Sequence, residues 1–289
     1  MRTMTRITIV GTLGKFGTVL ARKFLESGYD VGGIDIASIE GHPLAGLLSH
    51  YHQAEESSFF NLPDEIKQLI KTSDILLLAT PVESIGEAIS VYGKYLPANA
   101  LLVDVASVKT PAESSMRKLN RHDIELLSIH PLFGPAVDFQ GENVAVVEVH
   151  SGSRTKKFLD LLESWGCQLV RLSATEHDYK MAYIQCLCHA LVIVLGQTGK
   201  TEEISSGIFK LTTPFSRGLF QLLDRIAKAD PRLYTAIQMT NPYTLSVIDV
   251  YLSQIQQFRS FIARKDYEAM NEYITSSATF LELLKQEIE

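Results

Sequence analysis

Cysteine is scarce: Cys167, Cys186 and Cys188 are the only three in 289 residues. So low and odd a count excludes a disulfide-stapled framework and fits a reducing, cytoplasmic setting. Cys186, Cys188 and His189 are close in sequence, but on a helix the thiols of Cys-x-Cys point about 200° apart. They are expected to be small core residues, and no metal is expected. No apolar run reaches the ~18–20 residues of a membrane span. The start, Met1-Arg2-Thr3-Met4-Thr5-Arg6, leads into a strand-like segment rather than an apolar signal region, so no membrane partner is expected. Positive charge is not in excess either. The 27 Lys and Arg against 33 Asp and Glu leave a net charge of −6, which argues against nucleic acid as a partner. A local basic pocket for a small anion remains compatible with that balance. Internal repeats and low-complexity segments are also lacking.

What is present is an ordinary globular composition, 46% hydrophobic and 21% charged, in a chain long enough for two compact units. Strand-like segments at Ile7–Val10, Val31–Ile36, Asp74–Ala79, Ala100–Val105, Ile124–Ile129, Asn143–Val149 and Cys167–Leu172 alternate with helix-like ones. The helical periods run over Gly14–Ser27, Pro63–Lys71, Glu83–Tyr95, Ala112–Leu119 and Arg154–Trp165. Continuous apolar strands between amphipathic helices indicate a mostly parallel sheet covered on both faces, a doubly wound α/β fold. After about residue 174 only helices are expected, at Thr175–Gly199, Ser216–Ala229, Pro231–Thr240, Tyr243–Ala263 and Asp266–Glu287. The change of class divides the chain into residues 1–173, a dinucleotide-binding domain, and residues 174–289, an all-helical domain.

The turn after the first strand reads Gly11-Thr12-Leu13-Gly14-Lys15-Phe16-Gly17. Gly14 and Gly17 match the second and third glycines of the dinucleotide fingerprint, which allow close approach of a pyrophosphate and of helix to strand. Thr12 stands where the first glycine belongs, with Gly11 one residue earlier. Asp35 ends the second strand, 21 residues after Gly14, where a carboxylate accepts from a ribose hydroxyl and repels a 2′-phosphate. NAD is therefore expected over NADP. Thr80 and Pro81, after the next long strand, are expected to line the same cleft.

Two further strand ends carry chemistry-bearing residues: Asp104-Val105-Ala106-Ser107-Val108-Lys109, and Ser128-Ile129-His130-Pro131-Leu132-Phe133-Gly134-Pro135. Ligands of open α/β sheets bind beyond the carboxyl ends of the strands, which is where Ser107 and His130 fall. These segments resemble prephenate dehydrogenases, as do Glu176-His177-Asp178, Tyr183-Ile184-Gln185 with His189, and Asp224-Arg225-Ile226-Ala227-Lys228-Ala229-Asp230-Pro231. They are most similar to the dehydrogenase half of bifunctional chorismate mutase–prephenate dehydrogenases; no mutase part is expected before Ile7, and no ACT domain is expected.

The resemblance implies a Rossmann-like domain followed by a helical dimerisation domain, a homodimer, and oxidative decarboxylation of prephenate to 4-hydroxyphenylpyruvate in tyrosine biosynthesis. His130 matches the family's catalytic histidine, a base for the ring hydroxyl, and Ser107 a serine beside that hydroxyl. Arg225 matches the arginine that grips a substrate carboxylate, with Arg217 a second candidate. Asp178, Ala182, Gln185 and His189 are expected along one helical face, making Gln185 and His189 a substrate-pocket wall. For His177 and Asp178, helix capping and packing are an equally open reading. Arogenate and 4-amino-4-deoxyprephenate dehydrogenases share the chemistry and stay open as alternatives. A β-hydroxyacid dehydrogenase would use a helical-domain lysine, for which Lys180 is the candidate. A non-catalytic NAD-binding regulator conflicts with the joint presence of Ser107, His130, His189 and Arg225.

Overall fold

The computed structural model describes residues 4–55, 62–202 and 207–286; the expected helix end at Glu287 lies outside them. The chain forms two compact units, residues 1–242 and 243–289.

The first unit is built on an eight-stranded sheet. Its strands are β1 (Arg6–Val10), β2 (Asp30–Asp35), β3 (His50–Gln53), β4 (Ile75–Leu78), β5 (Leu101–Asp104), β6 (Glu125–Pro131), β7 (Asn143–His150) and β8 (Gln168–Arg171). They lie in the order β3-β2-β1-β4-β5-β6-β7-β8. Every pair is parallel except β6 with β7. The chain leaves β1 toward β2 on one side and later returns to β4 on the other. That reversal opens a crevice at the strands' carboxyl ends, the place where such sheets bind ligands.

The continuous apolar strands divide their side chains by period two. Ile75 and Leu77 of β4 join Ile7, Ile9, Leu101 and Val103 in one core, against α1 (Lys15–Glu26) and α5 (Ser153–Ser164). Leu76 and Leu78 join Leu102 in the opposite core, against α2 (Asp64–Lys71), α3 (Ile85–Tyr92) and α4 (Thr110–Lys118). Burial on both faces is why these strands read as uninterrupted hydrophobic runs. Strand β3, of sequence His-Tyr-His-Gln, carries no such signal; it is an edge strand with no buried residue.

The rest of this unit is helical: α6 (Ala174–Met181), a π turn (Ala182–Leu187), α7 (Cys188–Thr201), α8 (Pro214–Lys228) and α9 (Pro231–Thr240). The π turn corrects the expected regular helix, because an added residue per turn rotates everything after it relative to the 3.6 period. The Cys186 carbonyl accepts from the Gln238 amide at 2.7 Å, so α9 braces the turn. The run Ala174–Thr201 is also, by length and composition, long and apolar enough to cross a membrane, which corrects the expectation of no such run. Polar residues such as Gln185 and His189 punctuate it, so a search for unbroken apolar residues misses it. His177, Asp178, Met181, Ala182, Cys186 and Leu187 are buried, but only 28% of the run's most apolar stretch is. Cys186 is buried, as expected of a small core residue, whereas Cys188 is exposed, which corrects the expectation that both lie in the core.

The second unit is a helical hairpin, α10 (Thr244–Arg264) and α11 (Tyr267–Gln286). Lys265, at φ 55°, turns the chain between them. Tyr273 packs its ring on Phe258 and Phe261 and donates its hydroxyl to Gln254 at 2.7 Å.

Candidate active site

The glycine turn builds a cradle at the N-terminus of α1. Gly11 adopts φ +81° and donates its N–H to the Ile34 carbonyl at 2.8 Å. It thereby does the turning that the fingerprint gives to its first glycine. Thr12 is fully buried; its hydroxyl donates to the Ile9 carbonyl and accepts from the Ile34 N–H at 3.1 Å. The threonine thus fastens β1 to β2. A Cβ on Gly17 would lie 2.0 Å from the Gly11 carbonyl oxygen, so only glycine lets α1 start this close. Gly14 is the N-cap of α1, and exposed Lys15 is its first residue. Phe16 turns its ring inward onto Phe133, with centroids 6.0 Å apart, joining this loop to the segment after His130.

Asp35 sits half-buried at the end of β2, one carboxylate oxygen accepting from the Leu13 N–H at 2.7 Å and the other from Ala37 at 3.1 Å. Thr80 follows β4, and its buried hydroxyl has no hydrogen-bond partner among the described residues; Pro81 next to it is exposed. The glycine cradle, helix N-terminus, placed carboxylate and orphaned hydroxyl together fit a dinucleotide.

Beyond β5 and β6 lies a buried polar cluster. His130, 5% exposed, points Nδ1 at Nε2 of His177, 3.0 Å away. His177 Nδ1 in turn lies 2.7 Å from Asp178 Oδ1. Asp178 also accepts the N–H groups of Lys109 (2.8 Å) and Thr110 (2.7 Å), at the N-terminus of α4. Burial works to raise the Asp178 pKa, but the hydrogen bonds from His177, Lys109 and Thr110 outweigh it and hold the carboxyl below its ordinary value. Lys109, with no exposed surface, donates Nζ to Asp104 at 2.8 Å and to the Ile129 carbonyl at 2.7 Å. Burial, then the neighbouring His177 and Lys109, push the His130 pKa well below the usual histidine value. His130 is therefore a neutral imidazole at neutral pH, as a general base requires.

Ser107 is half-buried in the loop after β5. Arg225 is exposed on α8, and its guanidinium reaches the Gly134 position in the loop after His130. His189 on α7 stacks edge-on against Tyr234 at 4.7 Å, its Nδ1 without a hydrogen-bond partner among the described residues. Burial and then the Arg225 charge lower its pKa. The fold therefore brings Arg225 to the His130 loop and within electrostatic reach of His189. Gln185 is half-buried in the π turn, and Arg217 is exposed two turns before Arg225. The π turn breaks the expected stripe: Asp178 and Ala182 are buried at one level, while Gln185 and His189 are only half-buried.

Sequence reasoning did not assign Asp104, Lys109, His177 and Asp178 to the site. A lysine among Val105, Ala106 and Val108 was one available signal, because a charge inside an apolar strand-end segment needs a buried partner. Adjacent His and Asp in the first turns of a helix was the other.

Comparison with known proteins agrees with this architecture. The models for the nucleotide-binding domain and the dimerization domain of prephenate dehydrogenase match residues 49–154 and 173–276. The chain is 26% identical over 263 residues to the T-protein of Haemophilus influenzae, covering 90% of this chain and spanning 63% of that protein's length. It is 27% identical over 238 residues to the 4-amino-4-deoxyprephenate dehydrogenase of Streptomyces pristinaespiralis, covering 82% of this chain and 78% of that one. Among solved structures, the prephenate dehydrogenase from A. aeolicus in complex with hydroxyphenyl propionate and NAD+ superposes with a TM-score of 0.74 at 21% identity, over 99% of both chains. With both of its domains matched over most of the sequence, the chain belongs to the prephenate dehydrogenase family.

Proposed function

We propose that this chain oxidatively decarboxylates prephenate with NAD as hydride acceptor, forming 4-hydroxyphenylpyruvate for tyrosine synthesis. The observation that carries the reading is His130: a buried, neutral imidazole at the end of β6, with the cationic Arg225 across the adjoining loop. It is supported by the family membership and by the A. aeolicus enzyme, solved with NAD+ and a hydroxyphenyl acid.

The glycine cradle and the α1 N-terminus would hold the pyrophosphate through backbone N–H groups, with Gly14, Lys15, Phe16 and Gly17 closest. Asp35 would accept a ribose hydroxyl with its remaining lone pairs, and a 2′-phosphate there would face its charge. Thr80 and Pro81 would flank the nicotinamide side. When bound, the nicotinamide supplies the hydride acceptor. His130 takes the proton of the ring hydroxyl as the adjacent carbon loses hydride, and Ser107 orients that hydroxyl. Loss of carbon dioxide then leaves an aromatic ring. Arg225, with Arg217 and His189, holds the substrate's carboxylates.

Residues 174–289 are proposed to form the substrate and dimerisation domain, the active form being a cytoplasmic homodimer whose partner surface is the family's dimerization domain. A 4-amino-4-deoxyprephenate substrate is the second reading, because the relative from S. pristinaespiralis matches over more of its own length than the T-protein does.

The deciding experiment offers the purified protein prephenate, arogenate and 4-amino-4-deoxyprephenate separately, with NAD and with NADP, and follows reduced nicotinamide. Rapid turnover of prephenate with NAD is expected, and His130→Asn should lower it by about 10²–10⁴-fold with little change in KM. Turnover of an amino analogue alone would reassign the substrate. Near-normal turnover by His130→Asn would remove the base from the mechanism.

A further inference from the structure

The line of groups behind His130 is anchored at Asp178, where what each atom can donate or accept sets the direction of the hydrogen bonds. Asp178 is already a hydrogen-bond acceptor for the N–H groups of Lys109 and Thr110. As a carboxylate it only accepts, so the 2.7 Å contact with His177 requires the proton on His177 Nδ1. With its single proton on Nδ1, His177 presents Nε2 as an acceptor, and the 3.0 Å contact then places the proton on His130 Nδ1. What remains on His130 is a bare Nε2, the one nitrogen of the pair that can take a proton from a ligand.

We infer that His177, held by Asp178, is a positioning residue that fixes His130 in the Nδ1-protonated tautomer and shares the positive charge once Nε2 is protonated. This deepens the reading of His130 as the base and rests on it. In the reverse tautomer Nε2 would carry a proton and could not accept one, whatever its distance from the substrate. The balance of the step is simple. One O–H bond of the ligand breaks, one N–H bond forms at Nε2, and the charge gained is spread through the Nδ1–H bond toward His177 and the Asp178 carboxylate. Asp178 itself keeps its charge, because two backbone N–H groups stabilise its anion independently of the histidines. The groups facing His130 are His177 and Asp178 from α6, and Lys109, paired with Asp104, from the β5–α4 segment. His177 and Lys109 both oppose protonation of His130, and Asp178 acts on it only through the hydrogen bonds of His177.

Two measurements test this. The first is the ¹⁵N spectrum of the full chain labelled in histidine, with His130 assigned by its loss in His130→Asn. Wild-type His130 is expected to show a protonated Nδ1 and an unprotonated Nε2 at pH 7.5, and the opposite tautomer would overturn the inference. This readout needs no substrate, so it decides the positioning claim even if none of the three compounds is turned over, a result that would defeat the functional reading instead.

The second compares His177→Gln with His177→Leu. A glutamine oxygen can accept from His130 Nδ1, whereas leucine fills the space and accepts nothing. The kcat of His177→Leu is expected to fall on the order of 10²–10⁴-fold with KM nearly unchanged, as in systems where the wrong tautomer is populated. His177→Gln should retain at least tenfold more activity than His177→Leu, with the acidic limb of its pH profile, where the base becomes protonated, displaced from wild type. A packing role predicts the reverse ranking and an unmoved profile, and that result would refute the inference. Should either variant fail to fold, the wild-type spectrum alone still confirms or overturns the tautomer.

Discussion

Replacing Lys109 with methionine isolates the electrostatics of the buried cluster from its packing, since the two side chains are close in volume. In the wild type the ammonium contacts Asp104 Oδ1 at 2.8 Å and the Ile129 carbonyl at 2.7 Å, with neither charged side chain exposed. After substitution Asp104 keeps one donor, the Ala106 N–H at 2.9 Å, while Oδ2 already lacks a partner among the described residues. Removing one member of a buried pair typically costs about 3–5 kcal/mol, because the remaining charge is left unsolvated. That is a large share of a domain stability of roughly 5–15 kcal/mol. The double replacement Asp104→Leu with Lys109→Met removes both charges and should recover most of the loss. A coupling energy of about 2–3 kcal/mol is expected between the two sites. Urea denaturation followed by Trp165 fluorescence suits the measurement. Trp165 is the sole tryptophan, packed on Phe24 and Phe139 within the same unit. A loss under about 1 kcal/mol for Lys109→Met, or a double variant no better than the single, would refute the argument that the pair is held by mutual charge compensation.

Arg225→Gln should raise KM about 10–100-fold with a smaller effect on kcat, the equivalent of one charge-assisted hydrogen bond; an unchanged KM would pass the role to Arg217. Gly17→Ala places a methyl group 2.0 Å from a backbone oxygen and should destabilise the protein by about 2–3 kcal/mol while abolishing NAD binding measured by calorimetry. Gly14→Ala, at 3.2 Å from the same oxygen, should be milder, and equal effects would discredit the cradle geometry. Acidification should destabilise the fold in a definite window. The folded His130 pKa is depressed, so below about pH 6.5 the unfolded state binds a proton that the folded state refuses. Stability is then lost as pH falls, at up to about 1.4 kcal/mol per pH unit for this group. His130→Asn should lose less stability than wild type between pH 7 and 5, and parallel curves would show that His130 is not buried in its neutral form.

The sheet was legible because burial on both faces writes apolar residues into consecutive positions, as in Ile75–Leu78, and because helices repeat at a different period. Strand β3 was not, since an edge strand needs only backbone partners, and His50–Gln53 pairs with β2 without contributing to either core. The π turn at Ala182–Leu187 was hidden for another reason. It is stabilised by Gln238, 52 residues from the carbonyl it caps, and periodicity within one helix contains no trace of such a partner. Of the candidate site, sequence reasoning named residues at strand ends and loops, such as Gly11, Gly14, Gly17, Asp35, Ser107 and His130, and the helical Gln185, His189, Arg217 and Arg225. It did not reach the layer beneath them, whose contacts join residues up to 69 positions apart.

That hidden layer explains why the site and the fold are not independent. One carboxylate, Asp178, accepts the two N–H groups that begin α4 and orients His177. The lysine whose backbone it holds pairs with Asp104 and with the carbonyl of Ile129, the residue before His130. The side chain of Asn241, at the end of α9, donates to the Asp178 carbonyl at 2.8 Å. Strands β5 and β6 and helices α4, α6 and α9 thus meet at a group that touches His130 only through His177. A substitution at Asp178 should therefore lower stability and turnover together, whereas one at His177 should separate them, because among the described residues the His177 side chain is hydrogen-bonded only to Asp178 and His130.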